Sequence, residues 1–260
     1  MLLVLVIGIA LAPDRLAHAV PAPKLETLEL QVSLNDKKVG TETLRTQLGQ
    51  AGRYDSLDAA LQDKVQKVWK SFHQRAQLES QTDGAIKSYR RGIYVTGATI
   101  STNLFTIDGA WHVASQAEAG SKPKVSNLTL KAPFVVLDER SVGLVVLAAE
   151  RLAKLGDADY VRVDNATTGH LTLTTEVVAG EGKHWTRLHL RDGKNIHLEV
   201  LKSASGQVVE VTGLDGWSGV VTGQKVPTNL TPVGKESKAV ELPAPVTVTQ
   251  PAAKPKPPKP

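Results

Sequence analysis

The chain has 260 residues, 41% of them hydrophobic, which is enough for a packed core in one large domain or two small ones. It contains no cysteine, which excludes disulfides, thiolate metal ligands, cysteine nucleophiles and a lipid-modified N-terminal cysteine. The formal net charge is +5, but +3 of it lies from Lys235 onward, where five Lys face two Glu, so the body lacks the basic surface that a nucleic acid would need.

An apolar run of 11 residues, Leu2–Ala12, opens the chain and is followed by Ala17-His18-Ala19, a small-x-small cleavage pattern. The run is too short to cross a bilayer, which needs about 20 apolar residues. Residues 1–19 are therefore predicted to be a secretory signal peptide, although the usual positive leading region is missing. The mature chain is expected to start at Val20, to be periplasmic or secreted, and to contain no transmembrane segment.

Residues 24–233 are predicted to form one β-sheet domain. Apolar residues alternate in Glu26–Leu48 around a turn-forming segment, 35–38, which predicts a hairpin. Tyr54–Phe72 is ambiguous, because its apolar residues fit a helical stripe and also one face of a strand. Periodicity alone slightly favours the helix there.

Asp-Gly dipeptides recur between short segments rich in β-branched and aromatic residues, a pattern typical of β-hairpins. Most of the domain is therefore predicted to be an antiparallel meander. The four dipeptides are Asp83-Gly84, Asp108-Gly109, Asp192-Gly193 and Asp215-Gly216.

One helix, residues 139–155, is predicted to interrupt the meander, with Asp138 as its N-cap and Gly156 at its C-terminal end. Between Val142 and Ala149 no residue is polar, which indicates a helix buried on every side. A single flat sheet face could not cover such a helix. The fold class is therefore predicted to be mainly β (α+β), a strongly curved antiparallel sheet, or half-barrel, wrapped around one buried helix.

After Val233 the composition becomes rich in Pro and Lys, which predicts a disordered, extended tail over residues 234–260. Two roles fit this tail. It could contact an anionic envelope surface weakly, or it could only keep the protein soluble.

Neither a nucleophile motif nor a phosphate-binding loop is present. Gly216-Trp217-Ser218-Gly219 lacks the spacing of a nucleophile elbow, and Ser121-Lys122-Pro123-Lys124 has a proline where a helix is required. We therefore expect no enzyme activity, no catalytic residues and no cofactor.

The strand register that places leucines on the core face around Asp192-Gly193 brings two histidines together on the opposite face. Two imidazoles there could hold a metal ion, but neighbouring guanidiniums would repel it and no carboxylate set converges in sequence. A solvated polar face is favoured, and no metal site is expected. The residues of this face are His189, His197, Arg187 and Arg191.

Three motifs occur in a fixed order along the chain: Val39-Gly40-Thr41-Glu42, the turn Leu78–Gly84 leading to Ile86–Tyr89, and Phe134–Asp138 before the helix. Their order resembles the DUF3108-like exported bacterial proteins and, more distantly, the periplasmic lipoprotein-carrier half-barrels. The resemblance implies a curved antiparallel sheet around an apolar helix, and strands over Tyr54–Phe72. Carrier-type members hold an acyl chain in the cup.

The strands after the helix offer small or β-branched inward candidates and no Phe, which favours a cavity beside the helix over a tightly filled core. The sequence thus predicts an exported, non-enzymatic envelope protein that binds or carries a lipid or other apolar molecule. The alternative is a structural or assembly protein that contacts wall polymer or a partner through its tail. The candidate ligand-binding residues are Leu144, Val145, Leu147, Thr172, Thr174 and Val200.

Overall fold

The computed structural model describes residues 24–65, 68–95, 98–117, 120–131, 133–193, 196–233 and 237–238. The predicted signal peptide, 1–19, lies outside these residues, and so does the predicted tail, 234–260, apart from Ser237 and Lys238. No helix in the described residues combines the length and the hydropathy that crossing a membrane requires.

Nine strands precede the helix in the described part of the chain. They are β1 (Lys24–Leu34), β2 (Lys37–Gly49), β3 (Gly52–Val65), β4 (Val68–Ser80), β5 (Ile86–Val95), β6 (Ala98–Ile107), β7 (Ala110–Gln116), β8 (Lys124–Leu128) and β9 (Phe134–Leu137).

The helix is α1 (Val142–Leu155), and further strands follow it. They are β10 (Asp157–Arg162), β11 (Thr167–Gly180), β12 (Lys183–Asp192), β13 (Ile196–Ser203), β14 (Val208–Thr212), β15 (Trp217–Val221), β16 (Thr231–Pro232) and β17 (Ser237–Lys238).

All of these strands belong to one sheet. Strands β1 to β8 pair antiparallel in chain order, strands β10 to β15 do the same, and β15 joins the two runs by pairing with β1. Strand β9 pairs with β10 in parallel, so the sheet is mixed, whereas the sequence predicts a wholly antiparallel sheet. Short β16 and β17 extend along β11.

The sheet is strongly curved, and this curvature brings its two ends towards each other, although the sheet is not closed. Trp111 on β7 packs edge-on against Phe134 on β9, with ring centroids 4.9 Å apart. The side chain of Tyr89 on β5 also reaches Asp138, just after β9. The predicted fold class, a curved β-sheet around one helix, is confirmed.

Helix α1 is buried around its circumference from Val142 to Ala149, because the sheet supplies neighbours on several sides. It packs against strands of both runs, including β2, β9, β13 and β14. Close approach depends on glycine: a Cβ at Gly219 of β15 would lie 2.9 Å from the Val142 side chain. The residues between Val142 and Ala149 are all buried, as the absence of polar residues predicts.

The prediction that the helix begins at residue 139 with Asp138 as N-cap is wrong. Ser141 is the N-cap: its backbone is extended and its hydroxyl accepts a hydrogen bond from the Leu144 N–H. Asp138 is instead buried in an ion pair, which competes with capping for its carboxylate. The C-terminal prediction is confirmed, since Gly156 has a φ of 82° and its N–H bonds to the Leu152 carbonyl at 2.7 Å.

The helix N-terminus is covered by Glu42, a buried carboxylate on β2. Glu42 accepts hydrogen bonds from the Ser141 hydroxyl at 2.7 Å, the Val142 N–H at 3.0 Å and the Gly143 N–H at 3.2 Å. These groups have no partner within the helix, and the negative charge lies at the positive end of the helix dipole. A Cβ at Gly143 would be 2.8 Å from the Glu42 carboxylate, so glycine permits this contact.

A buried ion pair lies beside this cap and connects it to the first run of strands. The Arg91 guanidinium of β5 donates to both carboxylate oxygens of Asp138, at 2.7 and 2.6 Å, and to the Thr102 hydroxyl at 2.8 Å. The Tyr89 hydroxyl donates to Asp138 at 3.0 Å. Burial, followed by the nearby Asp138 charge, raises the pKa of Tyr89 well above its usual value.

The ambiguous segment Tyr54–Phe72 lies in the hairpin of β3 and β4. Strands are what the resemblance implies, whereas periodicity alone favours a helix. Leu57, Ala59 and Leu61 alternate with less buried residues and face the core. Strand β3 pairs with both β2 and β4, so its backbone hydrogen bonds are satisfied across the sheet. This long-range pairing overrides the weak helical period.

Two of the four Asp-Gly dipeptides form the predicted hairpin turns with a positive φ at both residues. Asp108 and Gly109 have φ of 49° and 79° between β6 and β7, and Asp215 and Gly216 have φ of 50° and 83° between β14 and β15. Positive φ at both central residues is the backbone of a type I′ turn.

The Glu42 cap predicts a pH-dependent stability. Burial raises the pKa of Glu42 to about 7 from 4.5, although its hydrogen bonds to Ser141, Gly143 and Val142 oppose the increase. Because the folded state then binds this proton more tightly than the unfolded state, the contribution to stability is complete below about pH 4.5 and is lost as the pH rises through about 7. The loss is on the order of 3 kcal/mol.

Urea melts of wild type and Glu42→Gln across pH 4 to 8 test this expectation, because the variant lacks the titrating group. The difference between their free energies of unfolding should change with pH over this window. Glu29→Gln, an exposed change on β1, should follow the wild-type curve. Parallel curves for wild type and Glu42→Gln would contradict the prediction.

Candidate functional site

A pocket of about 360 Å³ lies between the C-terminal half of α1 and the ends of the first strands. Its volume falls in the range of small-molecule sites, roughly 300–1,000 Å³. Exposed residues of the β4–β5 turn and of the helix end form its mouth. Its apolar walls include Leu48, Leu78, Ile86, Pro133, Val135, Val136, Leu147, Ala148 and Leu155.

One side of the pocket carries an ion-pair network. The Arg53 Nε donates to Asp55 Oδ1 at 2.8 Å, and its Nη2 lies 3.0 Å from Glu150 Oε2 on the helix. The Thr46 hydroxyl also donates to Asp55. Burial raises the pKa of Asp55, while the hydrogen bond from Thr46 and the charge of Arg53 oppose the increase. The network attaches the helix to the hairpin of β2 and β3 and so fixes this wall.

The other side carries Arg151, which follows Glu150 on the helix and faces the β4–β5 turn. A Cβ at Gly84 would be 3.6 Å from its Nη1. Its Nε is buried and has no hydrogen-bond partner among the described residues. Burial lowers the pKa of Arg151, and the Asp83 charge opposes this shift. With Lys154 also on the lining, two cations face the single carboxylate of Asp83 on this side of the mouth.

The structure separates the candidate residues of the sequence analysis. Leu147 lines the pocket, whereas Leu144, Val145 and Val200 lie in the closed core and are not among its walls. The pocket therefore lies towards the end of the helix and not beside its centre.

The expectation that Thr172 and Thr174 face the helix is wrong. Leu171 and Leu173 fill the inner face of β11, and the side-chain alternation of a strand places the two threonines outside. The sequence permitted either register, because threonine is common on both faces of a strand.

The polar pocket residues were missed by the sequence analysis. Arg53 and Asp55 lie two residues apart, which places them on one face of a strand, and this was the available signal. Glu150 and Arg151 are the first charged residues after the apolar part of the helix. Which charge meets which could not be inferred, because the Arg53–Glu150 contact joins residues far apart in sequence.

The predicted register of β12 and β13 is confirmed, with Asp192 opposite Ile196 and Leu190 opposite Leu198. His189 and His197 share the outer face as expected. The expectation of a solvated face is wrong for His189, which is only 5% exposed. Two carboxylates that the sequence analysis did not place there, Glu176 and Glu199, contact His189.

No protein-family model and no curated protein matches the chain. The chain is similar to a solved structure described as a beta-barrel-like protein of domain of unknown function DUF1849 from Brucella abortus. The identity is 11% and the TM-score 0.45, over 82% of this chain and 98% of that chain. A similarity this low supports no inference about function. The resemblance to DUF3108-like proteins stays a prediction.

Leu147 both lines the pocket and completes the core, so its truncation should enlarge the pocket and weaken the fold. We expect Leu147→Ala to lower the free energy of unfolding by about 2–5 kcal/mol in denaturant melts. Leu155→Ala is the matched control on the same helix, because Leu155 is exposed and should change stability by under about 1 kcal/mol. Equal losses in the two variants would mean that the helix packs differently.

Proposed function

We propose that the protein is an exported, non-enzymatic cell-envelope protein that binds an amphiphilic molecule, an acyl chain with an anionic head group, in the helix–sheet pocket. The observation that carries the proposal is the pairing of apolar walls with the cationic Arg151 at the mouth. The fold itself, a curved β-sheet around a helix, does not depend on this proposal.

The apolar walls suit a hydrocarbon chain. Leu78, Ile86 and Val136 come from β4, β5 and β9, and Leu147 comes from the helix, so a chain between them would lose water on several sides. Each buried methylene contributes about 0.8 kcal/mol, so a partly buried acyl chain would bind measurably. The pocket is too small for a whole phospholipid with both chains, which favours a single-chain ligand.

The charges favour a negative head group. Arg53 is engaged by Asp55 and Glu150, whereas Arg151 has a buried Nε that bonds to nothing among the described residues. A carboxylate or phosphate oxygen beside the Arg151 guanidinium would accept charge-assisted hydrogen bonds from it, and such bonds are stronger than those between neutral groups.

Binding is proposed over catalysis because of the side chains that line the pocket. The lining residues in the described part of the chain include neither histidine nor cysteine, and the carboxylate of Asp55 is held by Thr46 and Arg53. These walls thus offer neither a cysteine nucleophile nor a histidine base, which supports binding over covalent catalysis.

Displacement of an environment-sensitive apolar dye tests the proposal, with palmitate and the uncharged hexadecanol as competitors. Wild type should bind both. Arg151→Gln should weaken palmitate by at least about tenfold and leave hexadecanol nearly unchanged, because only the anion uses the guanidinium. Arg90→Gln, an exposed change on β5, is the matched control and should affect neither competitor.

Failure of wild type to bind dye or palmitate would reject the binding function. Binding of palmitate that is equal in wild type and Arg151→Gln would reject the role of the cationic mouth.

Export is part of the proposal and has its own test. The apolar run Leu2–Ala12 and the pattern Ala17-His18-Ala19 support cleavage before Val20. Expression in a Gram-negative host should yield a periplasmic or secreted form whose intact mass corresponds to a chain starting at Val20. A membrane fraction that retains residues 1–19 would contradict this expectation.

A further inference from the structure

Three potential metal ligands meet on the outer face of the sheet, on the side of β12 and β13 opposite the helix. His189 Nδ1 and His197 Nε2 each lie 3.0 Å from the same oxygen, Glu199 Oε1, and 3.3 Å from each other. We call these three residues the His189 cluster. It lies outside the helix–sheet pocket and is independent of the proposed function.

Hydrogen bonds alone leave this triangle crowded. If both imidazole nitrogens donated a proton to Glu199 Oε1, two N–H bonds would converge on one oxygen while their nitrogens lie only 3.3 Å apart. If one nitrogen donated to the other, its proton would not point at the carboxylate. One cation between the three atoms would relieve this crowding, because each atom can direct a lone pair at it.

We propose that the His189 cluster binds a divalent first-row transition-metal ion, with zinc as the simplest occupant. With the three atoms 3.0, 3.0 and 3.3 Å apart, a point about 2 Å from each of them exists roughly 1 Å off their plane. Bonds of about 2.0–2.2 Å are those of zinc to imidazole nitrogen and carboxylate oxygen. Little side-chain movement is needed.

Surrounding residues orient these ligands as they do in metal sites. Glu176 Oε2 lies 3.4 Å from His189 Nε2, the nitrogen that faces away from the triangle. A carboxylate at that position favours a proton on Nε2 and leaves the Nδ1 lone pair for the metal. Arg187 in turn holds Glu176 Oε2 at 3.4 Å.

The neighbouring arginines do not prevent cation binding. The Arg187 guanidinium lies 3.8 Å from Glu199 Oε2, the oxygen that the triangle does not use. Glu210 of β14 adds a further carboxylate near Arg187 and Glu199, and burial raises its pKa. With Arg191 included, this face has three carboxylates and two guanidiniums, so the arginine charges are matched.

The sheet register builds the site. His189 and Glu199 are directly opposite across β12 and β13, and His197 is two residues from Glu199 on the same face. Glu176 lies opposite Arg187 across β11 and β12. His189 is nearly buried, whereas His197 is exposed. A metal ion here would be held from the sheet side and keep open coordination positions towards solvent.

The test uses the full chain without an affinity tag, stripped with a chelator and titrated calorimetrically with zinc at pH 7.5. Wild type should bind one zinc ion at this site and gain thermal stability with zinc. His197→Ala and Glu199→Gln should each weaken binding by more than about 100-fold, and Glu176→Gln by about 10- to 100-fold. Magnesium should not compete, since imidazole nitrogen suits transition metals.

His184→Ala is the matched control, because His184 is exposed on the same strand and lies outside the cluster. It should bind zinc like wild type. Circular dichroism of the metal-free variants verifies folding, and the exposed position of His197 makes its replacement the safest of the three. Absence of zinc binding in wild type, retained affinity in His197→Ala, or equal loss in His184→Ala would each overturn the proposal.

Discussion

The structure depends on which groups accept hydrogen bonds from the first turn of the buried helix. An apolar helix inside a sheet still has free N–H groups at its first turn, and burying them without partners would be costly. The carboxylate of Glu42 reaches from β2 and accepts hydrogen bonds from Ser141, Val142 and Gly143. This contact fixes the direction of the helix relative to the first run of strands. The buried pair of Arg91 and Asp138 then attaches the loop before the helix to β5.

The parallel pair of β9 and β10 follows from this arrangement. The helix connects these two strands, because neighbouring parallel strands require such a crossover. Within each run the strands pair antiparallel in chain order, and the two runs meet where β15 pairs with β1. The helix is therefore both the core of the sheet and the link between its two runs. Its C-terminal half is less enclosed than its start, and the pocket lies there, between Leu147, Ala148 and the β4–β5 turn.

The two faces of the sheet carry different chemistry. On the inner side, apolar walls combine with the half-buried Arg151 at the mouth of the pocket, which favours a molecule with a hydrocarbon part and a negative group. On the outer side, β11 to β13 present imidazoles and carboxylates at ligand spacing. Because inner and outer residues alternate along each strand, the same strands can serve the core with Leu188 and Leu190 and the outer cluster with His189.

The sequence by itself determined the class of the fold. Asp-Gly turns with alternating segments require hairpins, and a helix with two apolar turns must be buried, which needs a curved sheet. It also determined the register of β12 and β13, because Leu190 and Ile196 had to share the core face. Only the tertiary structure decided the N-cap, the pocket and the cluster. Asp138 is a good cap locally, but Arg91, 47 residues away, takes its carboxylate. Thr172 and Thr174 could face either side until the pairing of β11 was known. The contacts of Glu42 with Ser141 and of Glu176 with His189 join different strands or elements, and such contacts follow from the path of the chain and not from local pattern.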